Sequence, residues 1–381
     1  ITGTLFLTKR GEKTILAKDW GMLAKSLLPL PEKWHGLQDV EERFRKRYLD
    51  TLMSNDVKKR FIIRSQVISE IRKILDKEGY LEVETPALQA IAGGTEAAPF
   101  VTHHRALDID LYLRIAPELY LKRLLVGGFS KIYELGRNFR NEGIDVTHNP
   151  EFTMLEFYES YSSAQKQMVF VEKMFKALVN KVFRAKSFVY NGANIDISEK
   201  FSKITYFDLL KRYALISNPE NITLEEIALK ASQLGVKVEP SDSIEKIMDG
   251  IYKKVCRPKL IQPVFIVDYP TNMLPLAKKT EKNEKLVDAF QLVVCGIEIV
   301  KAFSELNDPL DQKERFMVQE ERRKGGDIEA QKYDKEFLEA LEYGMPPAGG
   351  VGIGIDRLIM LLTDVKNIKE VILFPTLRAR N

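Results

Sequence analysis

Two cysteines in 381 residues, Cys256 and Cys295, stand far apart and outside any CxxC or Cys/His spacing. That excludes a disulfide framework and a structural zinc site, and leaves two reduced thiols. Long apolar runs are also missing. Hydrophobic residues make up 45% of the chain and charged ones 29%, yet no stretch reaches the length of a membrane span. The net charge is only +4, so bulk electrostatics neither demands nor excludes a nucleic-acid partner. Neither familiar phosphate-binding fingerprint occurs: the glycines near residue 350 lack the GxGxxG spacing and the P-loop lysine. No internal repeat is present.

What is there suits one large domain with an insertion, or two domains. The opening TGTLFLTKRGEKTIL reads as two alternating strands around a KRGE turn. A lone hairpin is marginal in water, so these strands are expected to be the tail of a β-rich domain. The charged runs EERFRKR, KKTEK and QEERRK are basic or mixed patches, and the last two read as solvated faces or loops. From Asp56 to Glu78, Val57, Phe61, Ile68, Ile71, Ile74 and Leu75 form a helical stripe, with Gly79 placed to end it. YLEVETPAL follows as a strand that stops at Pro86. KIYELGRNFRNE and PEFTMLEFYESY are two strands joined by a loop of about eight residues. A helical insertion is expected from about 213 to 260, after which QPVFIVDYP and AFQLVVCGIEIVKAF return to strand. Tandem strands recur without regular βαβ alternation. The fold class is therefore α+β, a mostly antiparallel sheet flanked by helices.

Side chains alternate across a strand, so parity sorts them by face. Gly136, Asn138, Arg140 and Glu142 share one face of the first strand; Phe152, Met154, Glu156 and Tyr158 share one face of the second. Exposed cross-strand Arg–Glu pairs are a common alternative. Such a surface would not need Phe152, Met154 and Tyr158 among its charges, so a pocket is favoured. Arg supplies a donor fork for phosphate or carboxylate and Phe a flat platform for a base. His148 and Asn149 lie in the connecting loop.

A second feature is GGVGIGIDR, where Gly350, Gly352 and Gly354 leave one strand face bare and open to a ligand. Asp356 is placed to cap the next helix, with Arg357 in its first turn, where anions are favoured. The third is CGIEIVKAFSELNDP. Glu298 between Ile297 and Ile299 needs a cation or strong partner, and magnesium suits a site with phosphates. Glu305 and Glu118 are further carboxylates flanked by apolar residues.

GYLEVETPAL, FRNEGIDVTHNPEFTMLEFY and GVGIGIDRLIMLL resemble the three signature motifs of class II aminoacyl-tRNA synthetases. HGLQDVEERFRKRYLD, RIAPELYLKRLLVGG and FSELNDP are similar to the bacterial-type lysyl members of that family. The resemblance implies a catalytic domain over 31–381 with the insertion at 213–260, and a remnant of an anticodon-binding barrel with its linker over 1–30. It implies a cytoplasmic enzyme that uses ATP, L-lysine and tRNA(Lys), with no membrane role, and a homodimer built through the first-motif helix and strand.

The same resemblance implies Arg140 on the α-phosphate, Glu142 on the adenine amino group and Phe152 stacked on the base. His148 and Arg357 fall near the outer phosphates, and Asn149, Ile299 and Gly354 complete the ATP contacts. Lysine is expected with its α-amine near Gly94 and Glu156. Its ε-ammonium falls to Glu118, Glu305 and Tyr158, with Phe303 along its stem. Two positions depart from the usual pattern: Gln291 replaces one of two metal-binding glutamates, leaving Glu298, and Lys301 stands where an asparagine is usual. A protein-modifying lysine ligase and a catalytically silent paralogue are the alternatives. Arg140, Glu142, His148, Phe152 and Arg357 count against the second of these.

Overall fold

The computed structural model describes residues 1–31, 37–240 and 242–380. Of HGLQDVEERFRKRYLD, His35 and Gly36 lie outside them, as does residue 241 of the insertion. The chain forms two compact units, Ile1–Asn55 and Asp56–Asn381.

In the first unit, strands Thr2–Leu7 and Lys13–Asp19 pair antiparallel. Gly11 takes φ +79° in the turn between them, a backbone state that glycine reaches without strain. Leu5, Leu7, Ile15 and Leu16 are exposed, so this ribbon is not a core of its own. The run EERFRKR is not simply a basic face. Arg43 Nε and Arg47 Nη1 lie 2.9 and 2.6 Å from Asp50, and Asp39 caps the helix that carries the run.

The second unit is built on an eight-stranded sheet. In chain order its strands are β1 (Leu81–Glu82), β2 (Lys131–Phe139), β3 (Glu151–Ser160), β4 (Ser202–Thr205), β5 (Val264–Pro270), β6 (Leu286–Val294), β7 (Ile297–Ser304) and β8 (Ala348–Gly354). They lie in the order β4-β5-β6-β7-β8-β3-β2-β1, antiparallel except for β4–β5 and β1–β2. The α+β, mostly antiparallel expectation holds. The expected strand YLEVETPAL contributes only Leu81 and Glu82 to the sheet edge, and Pro86 falls after it.

One face of this sheet is dry. Leu155, Phe157, Val300, Leu292, Phe290, Val351 and Ile353 point into a core closed by α1 (Asn55–Lys77), α3 (Ala164–Phe183) and the last helix, α9 (Ile355–Leu362). Helix α1 buries Val57, Val67, Ile71 and Leu75. It ends at Gly79, whose φ of +83° lets the Tyr80 amide return to the Leu75 carbonyl at 3.0 Å.

The opposite face is covered only at its ends. Over β5 and β6 sit α4 (Tyr206–Ala214), α5 (Leu224–Gln233) and α6 (Ile244–Ile251), which share a cluster with Val264, Ala289 and Val293. Over β2 and β3 sit α2 (Glu118–Val126), α7 (Pro309–Lys324) and α8 (Lys335–Glu342), clustered around Ile132 and Tyr158. Between these two apolar masses lies the strip of sheet that carries the charged rows.

Candidate active site

Register lays two rows of residues across this strip. Gln291 opposes Lys301, Lys301 opposes Gly352, Gly352 opposes Glu156 and Glu156 opposes Glu134. In the next row Ala289, Phe303, Gly350, Tyr158 and Ile132 line up the same way. Asn138 opposes Phe152, and Gly136 opposes Met154. The face expected from parity is therefore real for Phe152, Met154, Glu156 and Tyr158.

The glycines of β8 are required by crowding, not by turning. A Cβ on Gly350 would land on Glu305 Oε1 and lie 2.5 Å from the Tyr158 ring; one on Gly352 would sit 2.6 Å from the Met154 methyl. A side chain at either position would fill the floor of the strip.

Three expectations need correction. Strand β2 stops at Phe139, so Glu142 belongs to the loop 140–150 and not to the strand face. That loop is also longer than the expected eight residues, because the backbone closes at Arg140, whose amide donates to the Pro150 carbonyl at 2.9 Å. Asp356 does not cap α9, whose N-cap is Gly354. Its buried carboxylate instead accepts from the Thr153 amide at 2.6 Å and pairs with Arg64 at 2.7 Å, tying β3 to α1. Two charged hydrogen bonds in the interior outweigh a single cap.

Arg140 reaches from the start of the loop over the Phe152 ring, with its guanidinium carbon 4.9 Å from the ring centre. Of its five donors, Nη2 makes one 3.5 Å contact to the Ile115 carbonyl, and Nε is buried without a partner. Burial lowers its pKa, and Arg357 nearby adds to that, against Glu142, Glu156 and Glu298. A desolvated guanidinium this short of acceptors is a ready anion site. Arg357 Nη2 lies 2.9 Å from His148 Nε2, and His148 Nδ1 lies 2.8 Å from Asp145. Because Arg only donates, Nε2 is the acceptor and Nδ1 donates to Asp145. Despite desolvation, the Thr147 amide and His148 hold Asp145 below the usual carboxylate range. Asn149 is buried, with its amide nitrogen on the Glu151 carbonyl and its Oδ1 unpartnered.

The acidic end is the more unusual. Glu118, Glu156 and Glu305 are all buried. Gly94, at φ +93°, packs so closely on Glu118 that a Cβ would lie 3.0 Å from the Glu118 Cβ. Tyr158 donates its hydroxyl to Glu156 at 2.9 Å. Burial drives the Glu156 carboxyl up to about 8, reinforced by Glu118 and opposed by Tyr158 and Arg140. Burial also pushes Glu305 and Tyr158 well above their ordinary ranges. In the same row Glu134 is satisfied by Arg114 and by the Thr85 hydroxyl at 2.7 Å. Glu156 forms no such ion pair among the described residues, so its carboxylate is open to a cation.

Glu298 reaches this face through an irregularity. It lies three positions before Lys301, an odd offset that by simple alternation places them on opposite faces. The pairing shifts between Leu292 and Val293, so that Glu298 opposes Val293 and turns to the side of Gln291. Glu298 forms no ion pair among the described residues, and Gln291 accepts from the Tyr252 hydroxyl at 3.0 Å. Lys301 is exposed and likewise unpaired among the described residues, and Ile299 is buried next to Glu298. Among the described residues no three His, Cys, Asp or Glu side chains gather as a metal cage. One free carboxylate beside an amide oxygen fits magnesium in its usual manner, bound by few protein groups and completed by phosphate and water.

Sequence reasoning missed Lys122, Arg114 with Glu134, and Tyr252. The Glu118–Lys122 i,i+4 spacing and the parity of Glu134 with Gly136 were legible signals. Tyr252 comes from the insertion and had none.

An antiparallel sheet with a bare glycine strand, an arginine–phenylalanine platform and a buried acidic end has the chemistry to suit a nucleotide next to a small cationic molecule. The chain belongs to the family described as tRNA synthetases class II (D, K and N), whose pattern matches residues 39–378. Within it, the chain is 50% identical to the lysine–tRNA ligase of Pelotomaculum thermopropionicum over 382 aligned residues, covering 100% of this chain and 76% of that protein. It is 51% identical to the lysine–tRNA ligase of Clostridium novyi, covering 99% and 75%. It is 48% identical to that of Carboxydothermus hydrogenoformans, covering 100% and 78%.

Proposed function

We propose that the chain activates L-lysine with ATP to lysyl-adenylate and transfers the lysyl group to the 3′ end of tRNA(Lys). The observation that carries this reading is the set of buried carboxylates, Glu118, Glu156 and Glu305, set within the same strip as a partner-poor Arg140. A buried acid is costly unless a cation meets it, and lysine brings two ammonium groups.

In the first step a lysine carboxylate oxygen attacks the α-phosphorus of ATP, the bond to the β-phosphate oxygen breaks, and pyrophosphate leaves. In the second, the terminal ribose hydroxyl of tRNA attacks the activated carbonyl and AMP leaves. No protein nucleophile is needed. Arg140 lies on the α-phosphate and stabilises the charge that develops there; Phe152 and Glu142 hold the adenine. Arg357, His148 and Asn149 orient the outer phosphates, with Ile299 and Gly354 offering backbone. Glu156 and Gly94 take the α-amine; Glu118, Glu305 and Tyr158 take the ε-ammonium, over Phe303. Glu298 with the Gln291 oxygen would hold magnesium, which would supply charge neutralisation at the phosphates. Lys301 faces the carboxylate and phosphate side of the site.

A homodimer through α1 and β1 is part of the same reading. Its support is an edge strand whose Leu81 is 52% exposed, next to a helix whose Ile62 is 49% exposed. No helix among the described residues is long and apolar enough to cross a membrane; a cytoplasmic place of action follows from the proposed reaction.

ATP–pyrophosphate exchange with each standard amino acid in turn is the test. Exchange with lysine alone is expected, followed by charging of tRNA(Lys). Exchange with none, or with aspartate, overturns the reading.

Lysine affinity should rise with pH. With the Glu156 carboxyl at about 8 instead of 4.5, it holds its proton at pH 7, and an α-ammonium has to displace that proton. Affinity should therefore increase roughly ten-fold between pH 7 and 8.5, with about one proton released at pH 7 in calorimetry across buffers. Glu156→Gln should flatten the profile; an unchanged profile removes Glu156 from amine binding. Folding carries the opposite sign. The folded state holds this proton more tightly than the unfolded one, so that contribution is full below pH 4.5 and lost as pH rises through about 8.

A further inference from the structure

The two acids assigned to the substrate's side-chain ammonium already share an ammonium of the protein's own. Lys122, one turn along α2 from Glu118, has no exposed surface. Its Nζ lies 2.7 Å from Glu118 Oε1 and 2.5 Å from Glu305 Oε2, with the Leu276 carbonyl at 3.5 Å and the Phe303 ring centre at 5.5 Å. Burial opposes its charge, but Glu118 and Glu305 together hold it above the ordinary lysine value. Its donors are therefore directed at protein acceptors on two different segments.

The acids are not used up by this contact. Neither oxygen of Glu305 accepts a hydrogen bond among the described residues; Oε2 has the ion-pair contact with Lys122, whereas Oε1 is the atom on which a Gly350 Cβ would fall, next to the Tyr158 ring. So one oxygen of Glu305 faces Lys122 and the other faces the bare glycine of the site floor. With both carboxyls ionised, as they are when an ammonium meets them, two carboxylates and one ammonium leave a single negative charge, which matches one ammonium on the substrate side chain.

We infer that Lys122 is a positioning and specificity-determining residue for the lysine side chain, a fixed counter-ion that occupies the inner oxygens of Glu118 and Glu305 and presents their outer side to the substrate. This rests on the lysine-activating reading above. Without Lys122, the two acids face each other unneutralised. They either separate or retain a proton between them, and each outcome spoils the acceptor geometry that the ε-ammonium needs. A purely structural ion pair would have no reason to spare an oxygen beside Gly350, and its loss would affect ATP and lysine alike.

The test is Lys122→Met, a side chain of similar length without charge, against Lys122→Arg, which keeps the charge. Lysine-dependent exchange should show a lysine KM raised about ten- to a hundred-fold in Lys122→Met, the range spanned by a charged hydrogen-bond partner. The ATP KM should stay within about two-fold of the unaltered protein, and Lys122→Arg should recover most of the loss. An unchanged lysine KM, or equal rises for lysine and ATP in a protein that unfolds at the normal temperature, overturns the assignment. If Lys122→Met fails to fold, Lys122→Gln takes its place, and equal lysine KM values for the Gln and Arg variants overturn it. Failure of the lysine-activating reading is seen separately, as absence of lysine-dependent exchange in the unaltered protein.

Discussion

Arg140→Ala is expected to lower ATP–pyrophosphate exchange by about three orders of magnitude, near 4 kcal/mol of transition-state stabilisation, while leaving the unfolding temperature almost unchanged. The two halves of this expectation have different sources. The activity half follows from a guanidinium that is desolvated, stacked on Phe152 and short of acceptors, so that its donors are free for a phosphate on which charge builds up. The stability half follows from how little the side chain holds. Its one hydrogen bond among the described residues is the 3.5 Å contact to Ile115, and the loop closes through the backbone of Arg140 and Pro150 instead. Removing a buried cation with an unmatched Nε even relieves a desolvation cost. Exchange close to normal in Arg140→Ala would place the reacting phosphate elsewhere. A large loss of thermal stability would show that Arg140 supports the fold in a way its contacts do not reveal.

The parts of this site that alternation governs were legible in the sequence. Phe152, Met154, Glu156 and Tyr158 fall on one face because β3 is a regular ten-residue strand, and β8 presents its glycines in register with them. Parity failed where the backbone leaves that period. Glu142 lies beyond the end of β2, so its strand-face assignment was an extrapolation past Phe139. In the sequence Glu298 reads as a carboxylate in a buried strand. It faces Gln291 only because a register shift between Leu292 and Val293 turns it there, and no local pattern announces that shift. Asp356 had the residue type and position of a helix cap, but Arg64 from a helix almost three hundred residues earlier claims its carboxylate. Long-range pairs of this kind are set by packing, which a single sequence does not display. The insertion illustrates the same limit. Its helices are recognisable, yet the contact of Tyr252 with Gln291, which anchors the amide proposed to help hold magnesium, joins segments with no mutual signal.

Glycine 350 is where the fold and the proposed specificity meet most tightly, and Gly350→Ala should raise the lysine KM at least about a hundred-fold, with a smaller effect on ATP. The added methyl coincides with Glu305 Oε1 and lies 2.5 Å from the Tyr158 ring, and neither neighbour can step aside cheaply. Glu305 is buried and paired with Lys122; Tyr158 is buried and donates to Glu156. Moving either one dismantles part of the acidic end, so the substitution strikes lysine recognition before it strikes the fold. Overpacking of this size costs roughly 1–3 kcal/mol of stability, which a folded variant can still bear. Gly352→Ala is the control, because its methyl meets the far end of the flexible Met154 side chain at 2.6 Å, and a rotamer change relieves the clash. Its lysine KM should change by less than about ten-fold, since no carboxylate has to move. If both alanine variants lose lysine equally, the bare strand matters as a whole and Glu305 is not the atom that sets the requirement. If Gly350→Ala leaves lysine untouched, the ε-ammonium does not approach Glu305 beside β8, and the acidic end serves another purpose.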